Sequence, residues 1–115
     1  MKKLTIIGGG PAGYAAALYA NNFDLEVTLV ESDILGGTCL NRGCIPAKYW
    51  LHLAELNHEI NNASEYGIQI KTSEMDWNKA ALKRQDSVSK LVSGIGMLLK
   101  SKKVNVINGW GKIEN

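Results

Sequence analysis

Short apolar runs and long amphipathic stretches alternate along the chain. Leu4 to Ile7 is a short, partly β-branched apolar run, which is typical of a parallel strand buried on both faces. Glu26 to Glu31 alternates apolar and polar side chains and predicts a second strand, and Val104 to Ile107 predicts a third. Tyr14 to Ala20 consists mostly of good helix formers. This order of strands and helices predicts an α/β fold.

Two longer helices are predicted between the second and third strands. One runs from Ala47 to about Ile60, and the other begins after Asp76, a residue suited to capping, and ends at about Lys100. Apolar residues of the later helix recur at helical spacing, and we expect them to lie in the core. They are Trp77, Ala81, Val88, Leu91, Val92, Ile95, Leu98 and Leu99. Gly94 and Gly96 within it predict a close packing contact or a bend.

The segment between the long helices is rich in polar and small residues. Asn61 to Gly67 predicts a loop, and Ile68 to Ile70 predicts a short extended piece. His52 and His58 precede it, six residues apart. This is not the spacing of metal ligands on one helix face, so we expect them to be ordinary helix residues.

A glycine-rich turn joins the first strand to the first helix. Gly8, Gly10 and Gly13 form the pattern G-x-G-x-x-G, with Pro11 and Ala12 inside it. In such a turn the first glycine permits the tight bend, the second lets the backbone approach a pyrophosphate, and the third lets the helix pack closely on its strand. The free amides at the helix start would face the phosphates.

An acid at the end of the second strand strengthens the interpretation that this turn binds a dinucleotide. Glu31 lies eighteen residues after Gly13, close to the spacing of the acid that accepts hydrogen bonds from an adenosine ribose. The alternative is that the glycines only allow the chain to turn tightly and bind no ligand. The strand before, the helix after and the acid beyond favour a dinucleotide site.

The chain has two cysteines, Cys39 and Cys44. They are too few for a zinc site, which leaves two buried structural thiols or a redox-active pair. If Thr38 opens a helix, five residues rise about 7.5 Å along it, more than the limit of about 6.8 Å for disulfide-bonded Cα atoms. A bridge therefore requires a distorted helix, and Gly43 and Pro46 favour distortion.

Composition narrows the class of protein. The 115 residues are 45% hydrophobic and 21% charged, as in one soluble globular domain, with a net charge of +2. The charges form no basic stripe, so nucleic acid and anionic membrane surfaces are not expected partners. The first residues do not form a secretory signal and no stretch has the length of a membrane span. We therefore expect a cytoplasmic protein.

The stretch from Gly36 to Lys48, GGTCLNRGCIPAK, closely resembles the active-disulfide signature of the flavin-dependent pyridine nucleotide-disulfide oxidoreductases. Leu40, Ile45 and Lys48 are similar to the dihydrolipoamide dehydrogenase branch, whereas Ala47 stands where that branch commonly has serine or threonine. The resemblance implies a Rossmann-like FAD-binding domain with a parallel sheet, of which residues 1–115 would be the N-terminal part.

The resemblance also implies roles for single residues. The pyrophosphate of FAD would be held by Gly8, Gly10, Pro11, Ala12 and Gly13. Glu31 would bind the ribose, and Gly37 and Thr38 would bring the cysteine helix to the cofactor. Lys48 would lie near the flavin ring, and the backbone of Gly111 would contact the adenine. Cys39 would exchange with substrate, and Cys44 would face the flavin.

The implied activity is oxidation of dihydrolipoyl groups of 2-oxo acid dehydrogenase complexes or of the glycine cleavage system. Electrons would pass through the disulfide and FAD to NAD⁺, in a homodimer. The nicotinamide and interface domains of the family are expected to be missing from these 115 residues, so the chain alone would be inactive. A glutathione-type or mercuric reductase, and a non-catalytic nucleotide-binding module, remain alternatives.

Overall fold

The computed structural model of the protein describes residues 1–71 and 74–114. Three strands form one parallel sheet in the order β1 (Lys2–Ile7), β2 (Leu25–Glu31) and β3 (Asn105–Asn108). This confirms the predicted parallel α/β arrangement. β1 and β2 begin two residues and one residue earlier than predicted, and β3 has the predicted length but is shifted by one residue, so that Val104 precedes it.

Four α-helices connect the strands. They are α1 (Pro11–Ala20), α2 (Gly37–Arg42), α3 (Cys44–Asn62) and α4 (Trp77–Ser101). Asp76 caps α4 as predicted, since its Oδ1 accepts a hydrogen bond from the Lys79 amide at 3.0 Å. No helix within the described ranges is long and apolar enough to cross a membrane.

The core lies on one face of the sheet. Val27 and Leu29 of β2 pack there with Ala17 of α1 and Leu99 of α4, and Leu29 and Leu99 are 0% exposed. The opposite face is open among the described residues, since Ile7 remains 51% exposed. The expectation that β1 is buried on both faces is therefore wrong for this chain, because the helices that form the core pack on the same side.

The apolar stripe of α4 is only partly buried. Val88 and Ile95 lie in the core, as predicted, but Trp77, Leu91 and Leu98 are 65%, 45% and 53% exposed. A helix that rests on one neighbouring layer buries a narrow stripe, and residues at its margins stay in solvent.

The two glycines of α4 do not mark a tight contact. A Cβ added at Gly94 would meet nothing within 4 Å, and one at Gly96 would only touch the Leu35 side chain at 4.0 Å. The expected close packing is therefore wrong, and α4 runs without interruption past both positions.

The predicted loop at Asn61–Gly67 is also wrong. α3 continues to Asn62, and a turn of 3₁₀ helix, Ala63–Tyr66, follows it. Gly67 then ends the helical segment with a positive φ of 79°. Ile68–Ile70, predicted as a short extended piece, belongs to no helix or strand, and the Ile68 amide donates to the Ala63 carbonyl at 3.1 Å.

α3 and α4 pack against each other, and we call the pair the helical hairpin. In the hairpin, the Arg84 guanidinium lies 5.7 Å from the centre of the Trp50 ring, and the Trp50 and Trp77 rings are 6.3 Å apart. Among the described residues, α3 contacts α2, α4 and the 3₁₀ turn but no strand. The hairpin therefore extends away from the sheet, and the chain measures 66 × 26 × 20 Å.

Candidate functional site

The site is built on the turn between β1 and α1. Gly8 adopts a positive φ of 100°, which glycine reaches without steric cost, and its amide donates to the Val30 carbonyl at 2.7 Å. A Cβ at Gly13 would lie 1.7 Å from the Gly8 carbonyl oxygen. Two of the glycines singled out in the sequence are thus required by the backbone itself.

The start of α1 presents free amide groups. The first intrahelical bond runs from the Tyr14 amide to the Gly10 carbonyl at 3.0 Å, and no side chain caps the helix. The Ala12 and Gly13 amides precede that bond and have no acceptor within the helix, while Pro11 has no amide to leave unsatisfied. The arrangement suits a phosphate or diphosphate.

Glu31 lies at the end of β2, beside this turn, and is buried with 9% exposure. Its Oε2 accepts a hydrogen bond from the Gly9 amide at 2.6 Å, and its Oε1 accepts one from the Asp33 amide at 2.8 Å. A carboxylate has about four acceptor positions, so these two bonds fix its orientation and leave capacity for ligand hydroxyls.

A cavity of about 110 Å³ opens at the carboxyl ends of the three strands. Gly111 forms part of its wall and packs against Ile7, where an added Cβ would approach to 2.9 Å. Ligands of open parallel sheets bind at such an edge. The lining residues are Ile7, Gly8, Val30, Ser32, Gly109, Trp110 and Gly111.

Ser32 and Trp110 of this cavity were missed by the sequence analysis. Each follows a strand directly or within two residues. Their position at the carboxyl ends of β2 and β3 was the signal that could have identified them.

A second pair of glycines brings α2 to the first turn. Gly36 and Gly37 have positive φ values of 98° and 63°, and the Gly36 amide donates to the Gly9 carbonyl at 2.8 Å. A Cβ at Gly37 would lie 2.8 Å from the Cα of Gly10. The cysteine segment therefore begins in direct backbone contact with the candidate phosphate-binding turn.

Cys39 and Cys44 form a disulfide with their Cα atoms 4.7 Å apart. The predicted distortion is present, because α2 ends at Arg42 and α3 starts at Cys44. Gly43 allows the two helices to meet closely, since a Cβ there would lie 3.1 Å from the Thr38 carbonyl oxygen. Cys39 is half-buried and Cys44 is exposed, so reagents in solvent can reach the bridge.

The remaining predicted site residues lie around this bridge. Thr38 is exposed on α2, next to Cys39. Lys48 is exposed four residues after Cys44, so these two residues lie on one face of α3. His52 is eight residues from Cys44, about 12 Å along the helix. His58 is farther still and lies 3.0 Å from the Asn62 side chain.

Within the ranges that the structure covers, no group of three or more His, Cys, Asp or Glu residues could hold a metal ion. The chemistry available at the site is thus that of a disulfide beside a helix start and a buried carboxylate.

Comparison with known proteins identifies related sequences. The family model described as pyridine nucleotide-disulphide oxidoreductase matches residues 2–115. A dihydrolipoyl dehydrogenase of Zymomonas mobilis is 44% identical over 96% of this chain and 24% of the relative. One of Acholeplasma laidlawii is 37% identical over 98% of this chain and 34% of the relative. A leghemoglobin reductase of Vigna unguiculata is 41% identical over 95% of the chain and 21% of the relative.

A solved structure shares the fold. LpdA of Mycobacterium tuberculosis superposes with a TM-score of 0.92 and 27% identity, covering 100% of this chain and 25% of LpdA. The chain thus spans about a fifth to a third of the length of these curated relatives.

Proposed function

Because the chain belongs to the pyridine nucleotide-disulphide oxidoreductase family, we propose that it supplies the redox disulfide and the FAD-binding turn of a dihydrolipoamide:NAD⁺ oxidoreductase. One observation carries the proposal. The Cys39–Cys44 disulfide starts from a helix whose Gly37 packs on Gly10 of the glycine turn, so a dinucleotide bound at that turn would lie close to the disulfide. The similarity to dihydrolipoyl dehydrogenases supports the substrate class.

Residues 1–115 would form the N-terminal part of the FAD-binding domain. The donors and surfaces described above fit an adenine dinucleotide: amides for two phosphates, a buried carboxylate for a ribose and a strand-end cavity for the adenine. In this proposal the pyrophosphate is held by Gly8, Gly10, Pro11, Ala12 and Gly13, the ribose by Glu31 and the adenine by Gly111. Gly37 and Thr38 position the cysteine segment, and Lys48 lies near the flavin ring.

The chemical step is thiol–disulfide exchange. A thiolate of the reduced lipoyl group attacks Sγ of Cys39, the bond between the cysteines breaks, and Cys44 leaves as a thiolate. Cys44 is the first residue of the 19-residue helix α3, whose partial positive charge favours that leaving thiolate.

The lipoyl group then closes its own disulfide. Its second thiol attacks the substrate sulfur of the mixed disulfide and releases Cys39. The substrate has then lost two electrons and two protons, and the cysteine pair has gained the two electrons. FAD held at the Gly8–Gly13 turn and Glu31 would supply an acceptor for this electron pair and a route to NAD⁺.

The proposed partners follow from this reaction. They are the dihydrolipoyl groups of 2-oxo acid dehydrogenase complexes or of the glycine cleavage system, and a second subunit in a homodimer. The chain contains a single G-x-G-x-x-G pattern, so we place the nicotinamide nucleotide in a part of the protein beyond these residues.

The substrate class is tested by exposing the oxidised chain to dihydrolipoamide and, separately, to reduced glutathione at equal thiol concentration. We expect dihydrolipoamide to release two protein thiols and to form one lipoamide disulfide per chain. It should be the more complete reductant, because the lipoyl dithiol closes an intramolecular ring whereas glutathione does not. Thiol titration and mass spectrometry give both yields. A bridge that resists dihydrolipoamide while glutathione opens it would contradict the proposed substrate.

Glu31 tests the dinucleotide site. Glu31→Ala is expected to weaken FAD binding by about 1–3 kcal/mol, the value of a hydrogen bond to a charged group, and to lower the stability of the chain because the Gly9 amide loses its buried acceptor. FAD titration by fluorescence quenching measures the first effect and urea unfolding the second. Glu26→Ala is the matched control, since this acid on the same strand is exposed and, among the described residues, pairs with Lys3 at 3.8 Å. Equal FAD affinity in the two variants would contradict the assignment.

A further inference from the structure

Asn41 lies between the two cysteines, and its side chain binds the loop that precedes α2. Its Nδ2 donates to the Leu35 carbonyl at 3.1 Å and to the Gly37 carbonyl at 2.9 Å, in partly buried surroundings. The same amide group therefore connects the segment between the cysteines to the residues on both sides of Gly36. This side chain has no part in the sulfur chemistry described above.

The loop that Asn41 binds is itself held to the glycine turn. The Gly36 amide donates to the Gly9 carbonyl at 2.8 Å, and Gly37 packs against Gly10. A continuous set of backbone contacts thus leads from the turn at α1 to the Asn41 side chain. Through Asn41 it continues into the segment that carries both sulfurs.

These contacts matter most when the disulfide is open. In the oxidised chain the covalent bond itself keeps the two Cα atoms 4.7 Å apart. In the reduced chain only non-covalent contacts can keep the thiols close. The Arg42–Asp33 ion pair at 2.9 Å is exposed on both sides and contributes little. The two partly buried bonds of Asn41 are better placed to preserve the geometry.

We infer that Asn41 is a positioning residue that keeps the reduced cysteines at bonding distance and so favours closure of the disulfide. The inference rests on the proposed redox role of the pair. Removing the Asn41 N–H donors destabilises the reduced chain with its thiols close together more than the oxidised chain. In the oxidised chain the disulfide itself keeps the two cysteines together. The effective concentration of one thiol at the other then falls, and the disulfide becomes easier to reduce.

The test is the equilibrium constant for disulfide formation in glutathione redox buffers, measured on the 115-residue chain. Asn41→Asp removes the N–H donors and keeps the side-chain shape, and Asn41→Ala removes the whole amide. Both are expected to lower the constant by about fivefold to thirtyfold. Asn21→Ala is the matched control, because the Asn21 amide also donates to a backbone carbonyl, that of Lys102, far along the chain from the cysteines.

Constants within twofold of the wild type for Asn41→Asp would overturn the inference, and so would an equal drop in Asn21→Ala. A lower equilibrium constant in Asn41→Ala but not in Asn41→Asp would assign the effect to side-chain packing, and it would also overturn the inference. Should Asn41→Ala fail to fold, the isosteric Asp variant decides.

A second measurement is independent of glutathione. Urea unfolding of the oxidised and the phosphine-reduced chains gives the cost of each substitution in the two states, and we expect the reduced state to lose more. A wild-type bridge that does not exchange with any thiol would contradict the proposed function, whereas equal losses in both states would contradict only the role of Asn41.

Discussion

Gly13→Ala is expected to prevent the chain from folding to its native state. The added Cβ would lie 1.7 Å from the carbonyl oxygen and 2.8 Å from the carbonyl carbon of Gly8. Both atoms belong to the backbone, so no flexible side chain can move aside. Gly8 is itself fixed by its bond to the Val30 carbonyl at the end of β2.

Relief of this clash would require α1 to separate from the sheet, and Ala17 of α1 lies in the core. We expect a loss of more than about 4 kcal/mol, comparable with the whole stability of a small domain, about 5–15 kcal/mol. Circular dichroism and urea unfolding measure the loss.

Gly94→Ala provides the matched control. An added Cβ at Gly94 meets nothing within 4 Å, and alanine is favoured over glycine inside a helix by about 1 kcal/mol. This variant is therefore expected to be slightly more stable than the wild type. A Gly13→Ala chain that unfolds at the same urea concentration as Gly94→Ala would show that the turn is not sterically closed.

The second large effect concerns turnover. With FAD and NAD⁺ added, the 115-residue chain is expected to oxidise one equivalent of dihydrolipoamide and then stop. The disulfide needs only Cys39, Cys44 and the flexible Gly43 between them, and these are in place. Repeated cycles also need a nicotinamide site and a proton-transfer group. His52 is about 12 Å along α3 from Cys44, too far for that role.

The measurements are thiol titration, which should find one equivalent of substrate oxidised, and NADH absorbance over many equivalents of substrate, which should stay at background throughout. Replacing both cysteines by serine should remove even the single equivalent, and thiol titration should then find no reducible sulfur. Steady NADH production by the wild-type chain would contradict the proposal that the nicotinamide site and the proton-transfer group lie in another part of the enzyme.

The parts of the site that the sequence predicted are those where the backbone leaves no choice of residue. Only glycine fits at Gly13 and Gly37, so their spacing carries the geometry of the turn directly. The distance argument for Cys39 and Cys44 predicted the distorted helix correctly, because it also depends on backbone geometry alone. A bridge across five residues cannot fit a regular helix, and the structure breaks the helix at Gly43.

The parts that failed depend on what lies opposite a residue. The period of α4 gives the direction of its apolar side, but the width of the buried stripe depends on its neighbours, so Leu91 and Leu98 are exposed. The Asn41 contacts are local, to carbonyls four and six residues earlier, but they depend on the positive φ values of Gly36 and Gly37, which the sequence analysis did not consider for this side chain.

The helical hairpin has a consequence for how the molecule opens. The radius of gyration is 20.0 Å, against about 13 Å for a compact domain of this length, because α3 and the first part of α4 extend beyond the core, whereas Val88, Ile95 and Leu99 of α4 lie in it. Opening the outer part of the hairpin exposes little of the core around Leu29, so it costs only a fraction of the global free energy. Amide hydrogens there should exchange with solvent through local opening, while those of β2 wait for complete unfolding.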